Sequence, residues 1–138
     1  MDFTRNVARS FTLGEFFVTN SAGGKAGLYQ DLMALPEAKR NAIVANIKAI
    51  APRLQEIRNH FGRPIIITSG WRSQRVNRQV KGAKYSQHLV GKAADIVVVG
   101  VSPREVQRYL DPHWRGGLGY GRTFTHLDIR PWRERFNY

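Results

Sequence analysis

One carboxylate interrupts an apolar strand. Residues 93–99 read AADIVVV, a β-branched run of the kind that forms a buried strand. Asp95 inside such a strand needs a hydrogen-bonding partner or a cation, because a buried charge without one is too costly. His88 precedes it in the loop SQHLVGKAAD, where Gly91, Ala93 and Ala94 are small enough to let the backbone fold back closely. A second patch, FTHLD at 124–128, places His126 and Asp128 on the same face of a strand. Two histidines and one aspartate make a three-ligand set that leaves a fourth tetrahedral position for water, the pattern of a catalytic zinc site. On spacing alone the plainer alternatives stay open: His88 as a loop histidine bonded to backbone, and Asp95 as a strand-edge or salt-bridge carboxylate.

The chain contains no cysteine, which excludes a disulfide framework and any thiolate metal site. A metal must then be held by His, Asp or Glu. The 138 residues are expected to form one domain spanning 1–138, with an ordinary globular share of hydrophobic (42%) and charged (23%) residues. No segment approaches the roughly 18 apolar residues needed to span a bilayer. The opening MDFTRNVARSFTLGEFF lacks an apolar h-region and a cleavage site, so no signal peptide is expected and synthesis in the cytoplasm is. A formal net charge of +12 favours polyanionic partners, whether nucleic acid, anionic lipid or an anionic cell-wall surface, unless it is only a solvated basic exterior.

Residues 36–61 carry Ile43, Ile47, Ile50, Leu54, Ile57 and Phe61 at helical spacing, so a helix is predicted there, broken or kinked near Ala51 by Pro52 and ended by Gly62 and Pro64. Strands are predicted at 65–68 (IIIT) and 93–99, with helix at 72–80. Ser102-Pro103-Arg104-Glu105 is a helix start, with Ser as N-cap, Pro at the first position and Glu in the capping-box position. Segments 116–121 (GGLGYG) and 123–129 (TFTHLDI) read as closing strands, NSAGGK at 20–25 as a loop, and 11–18 as a short strand or helical turn. Helices first and strands later suit an α+β domain with an antiparallel sheet.

SQHLVGKAAD resembles the S-x-H-x-x-G-x-A-x-D signature of the zinc D-Ala-D-Ala carboxypeptidases and murein endopeptidases, the M15 peptidases, whose fold is shared with Hedgehog signalling domains. FTLGEF resembles the opening F-x-x-x-E-F of that family. ITSGWRS followed by Asn77 resembles its S-G-[YW]-R-S…N segment, and FTHLDIR its closing aromatic-x-H-x-D strand. The resemblance implies a Hedgehog/DD-peptidase-like α+β fold, with a central antiparallel sheet and flanking helices. It implies His88, Asp95 and His126 as ligands of Zn2+, and Arg72 beside the metal, binding a substrate carboxylate or stabilising the oxyanion. Without the family, Arg72 reads as a surface arginine.

Many members carry an acid three residues before the last histidine. Thr123 stands there in this chain and cannot take a proton from the attacking water. Asp128 is then a candidate base, or a group that orients a ligand. His113 is the other candidate for the proton chemistry, unless it is only an exposed loop residue. The activity implied is zinc-dependent hydrolysis of peptidoglycan stem or cross-link peptides, by a carboxypeptidase or a murein endopeptidase. It would reach the cell wall by phage lysis or assisted export, with Trp71, Tyr85, Tyr120 and Trp132 available to line a groove. Thr123 also supports a second expectation, a zinc-binding pseudo-enzyme. A basic nucleic-acid-binding domain is the third, for which no recognisable motif is present.

Overall fold

The computed structural model describes residues 1–19 and 27–138, so the loop predicted at 20–25 lies outside the described residues. Strands β1 (Asn6–Ala8) and β2 (Phe11–Thr12) pair as a small ribbon and lead into a 3-10 turn at Leu13–Phe16. Helices α1 (Leu28–Met33) and α2 (Glu37–Phe61) follow. The remainder alternates: β3 (Ile65–Ser69), α3 (Gln74–Gln79), a 3-10 turn at Gln87–Val90, β4 (Ala93–Val98), α4 (Pro103–Leu110), β5 (Gly117–Tyr120), β6 (Thr125–Asp128) and β7 (Glu134–Asn137). The fold is α+β, as expected.

The isoleucine stripe produces α2: Ile43, Ile47, Ile50, Leu54 and Ile57 are buried on one face, and Gly62 ends the helix in the left-handed conformation at φ 63°. The break expected near Ala51 is absent, and the helix is continuous through Pro52. Pro52 and Lys48 both lie on the exposed side. Water can therefore satisfy the Lys48 carbonyl that proline leaves unpaired, while Ile50, Ala51 and Leu54 anchor the opposite face in the core. Helix α4 begins as its sequence dictates, with Ser102 Oγ accepting from the Glu105 N–H at 3.2 Å.

The main sheet has the order β3-β4-β6-β5-β7. It is mixed rather than purely antiparallel, because β7 runs parallel to β5 at the edge. Its two faces differ sharply. Ala94, Ile96 and Val98 of β4, Leu118 of β5 and Leu127 of β6 join the core with the α2 stripe. On the other face, strand register aligns one row across the whole sheet: Ser69 opposite Asp95, Asp95 opposite His126, His126 opposite Gly119, and Gly119 opposite Phe136. A register shift between Ile67 and Ser69 brings Ser69, rather than Thr68, opposite Asp95.

The N-terminal segment is locked to the end of β3. The Gly70 N–H donates to the Val18 carbonyl (3.0 Å) and the Trp71 N–H to the Phe16 carbonyl (2.7 Å). A Cβ at position 70 would overlap the Phe16 backbone, so only glycine fits. Trp71 is 2% exposed and belongs to the core, its Nε1–H donating to the Leu89 carbonyl, so it is not a groove residue. Tyr120 donates its hydroxyl to Asp111, whereas Tyr85 and Trp132 are exposed. Among the described residues no helix is long and apolar enough to cross a membrane. The close approach at residue 70 predicts that Gly70→Ala lowers stability by about 1–3 kcal/mol, an overpacking cost, read as a lower urea midpoint at unchanged m-value.

Candidate metal centre

β4 and β6 lie side by side in antiparallel register, so Asp95 and His126 face each other on the side of the sheet away from the helical core. His88 reaches them from the 3-10 turn before β4. Ser86 Oγ accepts from the His88 N–H at the start of that turn, and Gly91 ends it at φ 80°. The Arg72 N–H donates to the His88 carbonyl at 3.0 Å, tying the turn to the segment after β3. His88, Asp95 and His126 are all buried, and one ligand atom from each lies within 4.8 Å of the others.

Hydrogen bonds from behind fix the direction of each imidazole. His88 Nδ1 is 2.7 Å from the Gly70 carbonyl, which can only accept, so the proton is on Nδ1 and the Nε2 lone pair points at Asp95 Oδ1, 3.2 Å away. Burial pushes the His88 pKa down against the pull of Asp95, so this ring is neutral near pH 7. A neutral ring so oriented has no proton to place between Nε2 and the carboxylate. Two lone pairs therefore face each other unless a cation lies between them. His126 is held similarly: Nε2 is 2.7 Å from Asp128 Oδ2, and Nδ1 is 2.9 Å from Asp95 Oδ1.

These separations suit a small divalent ion. Tetrahedral N/O ligands with bonds of about 2.0–2.1 Å lie roughly 3.3 Å apart. His88 Nε2, Asp95 Oδ1 and His126 Nδ1 would hold the ion. The Gly70 carbonyl and Asp128 supply the outer partners that metal-bound histidines almost always have.

Without an ion, the charges settle on the residues themselves. Burial alone would raise Asp95, but the hydrogen bond from His126 leads the effects that overcome it and hold its carboxyl well below the usual range. Asp128 follows the same balance, with burial outweighed by His126 and Arg130. His126, between two carboxylates, is raised: burial lowers it, but the bonds to Asp128 and Asp95 prevail.

Asp128 is fully buried, and both of its oxygens are occupied. Oδ1 accepts from the Gly117 N–H (2.9 Å), the Arg130 N–H (3.2 Å) and Arg130 Nε (2.8 Å). Oδ2 accepts from His126 Nε2 and Arg130 Nη2, each at 2.7 Å. A side chain at Gly117 would occupy the space of that carboxylate.

Arg72 lies next to the cluster, its Nη2 3.6 Å from Asp95 Oδ2. Ser69 Oγ accepts from its Nε at 3.3 Å and Asn77 Oδ1 from its Nη1 at 3.4 Å, while Asn77 Nδ2 donates to the Ala83 carbonyl. Of the remaining sequence candidates, His113 is placed elsewhere. It is exposed after α4, edge-on to the Tyr109 ring at 4.9 Å. Thr123 is exposed in the turn before β6.

Sequence reasoning missed the aromatic side of the site. Phe136 lies 5.2 Å from the His126 ring and Tyr138 6.4 Å, and Phe124 meets Tyr138 at 4.9 Å. The signal was Gly119, opposite His126, whose missing side chain makes room for both rings.

A buried, pre-oriented His/Asp/His cluster with an arginine beside it has the donor set of a hydrolytic metal centre. The match of residues 10–128 to the family described as peptidase M15 agrees, and the chain belongs to that family. It is similar to the peptidoglycan L,D-endopeptidase MepK of Escherichia coli strain K12, 26% identical over 134 residues that cover 88% of this chain and 74% of the relative. Proteins of the same name from E. coli O157:H7 and Shigella flexneri match equally.

The depressed carboxylates set the acid behaviour of the metal-free protein. Their stabilisation is complete above the unfolded carboxylate pKa, near ~4, and is lost as pH falls from there through the lower folded values. Urea midpoints should therefore drop on acidification below about pH 4. Asp128→Asn should cost about 3–5 kcal/mol at neutral pH, the order for breaking a buried charge pair, and should flatten that acid drop.

Proposed function

We propose that the chain is a zinc-dependent peptidase that hydrolyses peptidoglycan stem or cross-link peptides. The observation that carries the reading is the convergence of His88 Nε2, Asp95 Oδ1 and His126 Nδ1, each histidine fixed from behind, in a chain of the M15 family. The all-nitrogen-and-oxygen set, with three protein ligands and one position left for water or substrate, favours zinc. When bound, zinc supplies Lewis acidity, acidifying a water and polarising the scissile carbonyl. The curated relatives carry the name L,D-endopeptidase, which supports an L,D-peptide bond as the first to be tested.

The protein's own residues divide the remaining work. Arg72, aimed by Ser69 and Asn77, presents a guanidinium for a substrate carboxylate or for the charge that develops on the carbonyl oxygen. Asp128 acts as a positioning residue: bonded to the Nε2 edge of His126 with both oxygens engaged, it has no free lone pair aimed at an attacking water. It holds the His126 tautomer that frees Nδ1. The basic exterior, net +12, suits an anionic wall.

A second reading, a zinc-binding domain without turnover, is favoured by two observations: Thr123 stands where many family members carry an acid, and Asp128 is fully engaged. Muropeptide digestion followed by mass spectrometry, with metal content measured on the same sample, separates the two. The enzyme reading predicts cleavage with about one equivalent of zinc, abolished by a chelator and by His88→Ala; one equivalent of zinc with intact muropeptides supports the binding domain.

Two further outcomes are expected. Asp128→Asn weakens zinc affinity about 10–100-fold, measured by competition with a chromophoric chelator. Zinc affinity also rises with pH, because uptake displaces a proton from His126, whose pKa lies above its ordinary value. Calorimetry in buffers of different ionisation enthalpy should record that proton on the acid side of neutrality.

A further inference from the structure

The aromatic side of the site is organised around Tyr138. Its ring packs edge-on to Phe124 (4.9 Å) and against Phe136 (5.6 Å), and the three rings form a wall beside His126. A Cβ built on Gly119 would meet Tyr138 Cε2 and Phe136 Cε2 at 2.7 Å and His126 Cβ at 2.9 Å. Tyr138 Cε2 is one bond from the carbon that bears the hydroxyl. The polar end of the ring therefore lies over Gly119, next to His126 in the row that continues to Asp95.

The charged groups acting on the phenol accord with that position. Burial raises its pKa first, followed by the field of Asp95; Arg72 opposes, then Asp128 and Arg130 act in turn. The hydroxyl has no hydrogen-bond partner among the described residues, although the ring is fixed on several sides. The residue as a whole is 65% exposed, although its ring packs against Phe124 and Phe136. Asp111, by contrast, takes the hydroxyl of the neighbouring Tyr120. A phenol with an unused donor, packed beside His126 and in the field of Asp95 and Arg72, can offer that donor to a ligand held at the site.

We propose that Tyr138 is a catalytic residue that touches the substrate, its hydroxyl donating a hydrogen bond to the negative oxygen that develops from the scissile carbonyl, on the side of His126 opposite Arg72's end of the row. This inference rests on the peptidase reading above. The hydroxyl keeps its proton; the phenol stabilises charge and leaves the transfer from water to other groups. Gly119 is the position that permits it, since any side chain there would push the ring out of place.

The test compares zinc-loaded wild type with Tyr138→Phe, which keeps the ring and its packing and removes only the donor. The probe is a phosphinate pseudodipeptide, whose anionic oxygens imitate the tetrahedral carbon's substituents, titrated by calorimetry. The expected result is a loss of tenfold or more in phosphinate affinity, the order for one hydrogen bond to a charged group. Zinc content should stay at one equivalent and the thermal midpoint should not change. On muropeptides kcat should fall while KM stays within about twofold, because the bond forms mainly in the transition state. Equal phosphinate affinity in the two proteins, including no affinity in either, overturns the proposal. Cleavage by wild type with an unchanged kcat in Tyr138→Phe also overturns it and leaves the peptidase reading standing. A phosphinate loss in Tyr138→Phe without wall-peptide cleavage by wild type supports the tyrosine contact and removes that substrate reading.

Discussion

Asp95 faces His88 and His126 from the middle of the sheet, and the surrounding structure is arranged to keep those three side chains pointed at one another. His88 is turned by the Gly70 carbonyl, and Gly70 is itself clamped to Val18 by a backbone bond. His126 is turned by Asp128, and Asp128 is gripped by Arg130 and the Gly117 N–H. Each support begins in a different part of the chain. The N-terminal segment, the end of β3, the glycine-rich β5 and the residues after β6 all serve the same small volume. A change in any one of them alters where an imidazole lone pair points.

Strand register is what brings these supports together. Because neighbouring residues in a strand point to opposite faces, one slip would exchange Asp95 for Ala94 or Ile96 on the site face. The apolar partners Ala94, Ile96, Leu118 and Leu127 prevent the slip, since exposing them would forfeit the core. Burial on one face therefore sets the chemistry on the other. The same row carries Ser69, which steadies Arg72, and Gly119, which admits Phe136 and Tyr138.

Much of this was legible in the sequence, and for identifiable reasons. The isoleucine spacing marked α2, the Ser-Pro-x-Glu start marked α4, and the misfit of Asp95 among valines and alanines marked the site. The antiparallel expectation failed only at β7, where RERFN offers no clear alternation of apolar and polar residues and pairing depends on the already formed β5. The break at Pro52 was not realised: α2 runs on through it, with Ile50, Ala51 and Leu54 buried on its other face. Asp128 was visible as a residue sharing a face with His126. Its contact with Gly117 depends on β5 packing against β6, which spacing within FTHLDIR does not encode, whereas Arg130 grips it from two residues on in the same segment. Tyr138 was not visible at all. It lies outside the motif and approaches His126 only through the parallel pairing of β7 and the absence of a side chain at Gly119.

The proposed centre depends on three side chains meeting at a single ion. An anomalous difference map collected at the zinc absorption edge from crystals of the zinc-loaded protein tests this directly. It should show one peak bonded to His88 Nε2, Asp95 Oδ1 and His126 Nδ1, with His126 Nε2 still on Asp128. No peak there, or a peak bonded to His126 Nε2 instead, would contradict it.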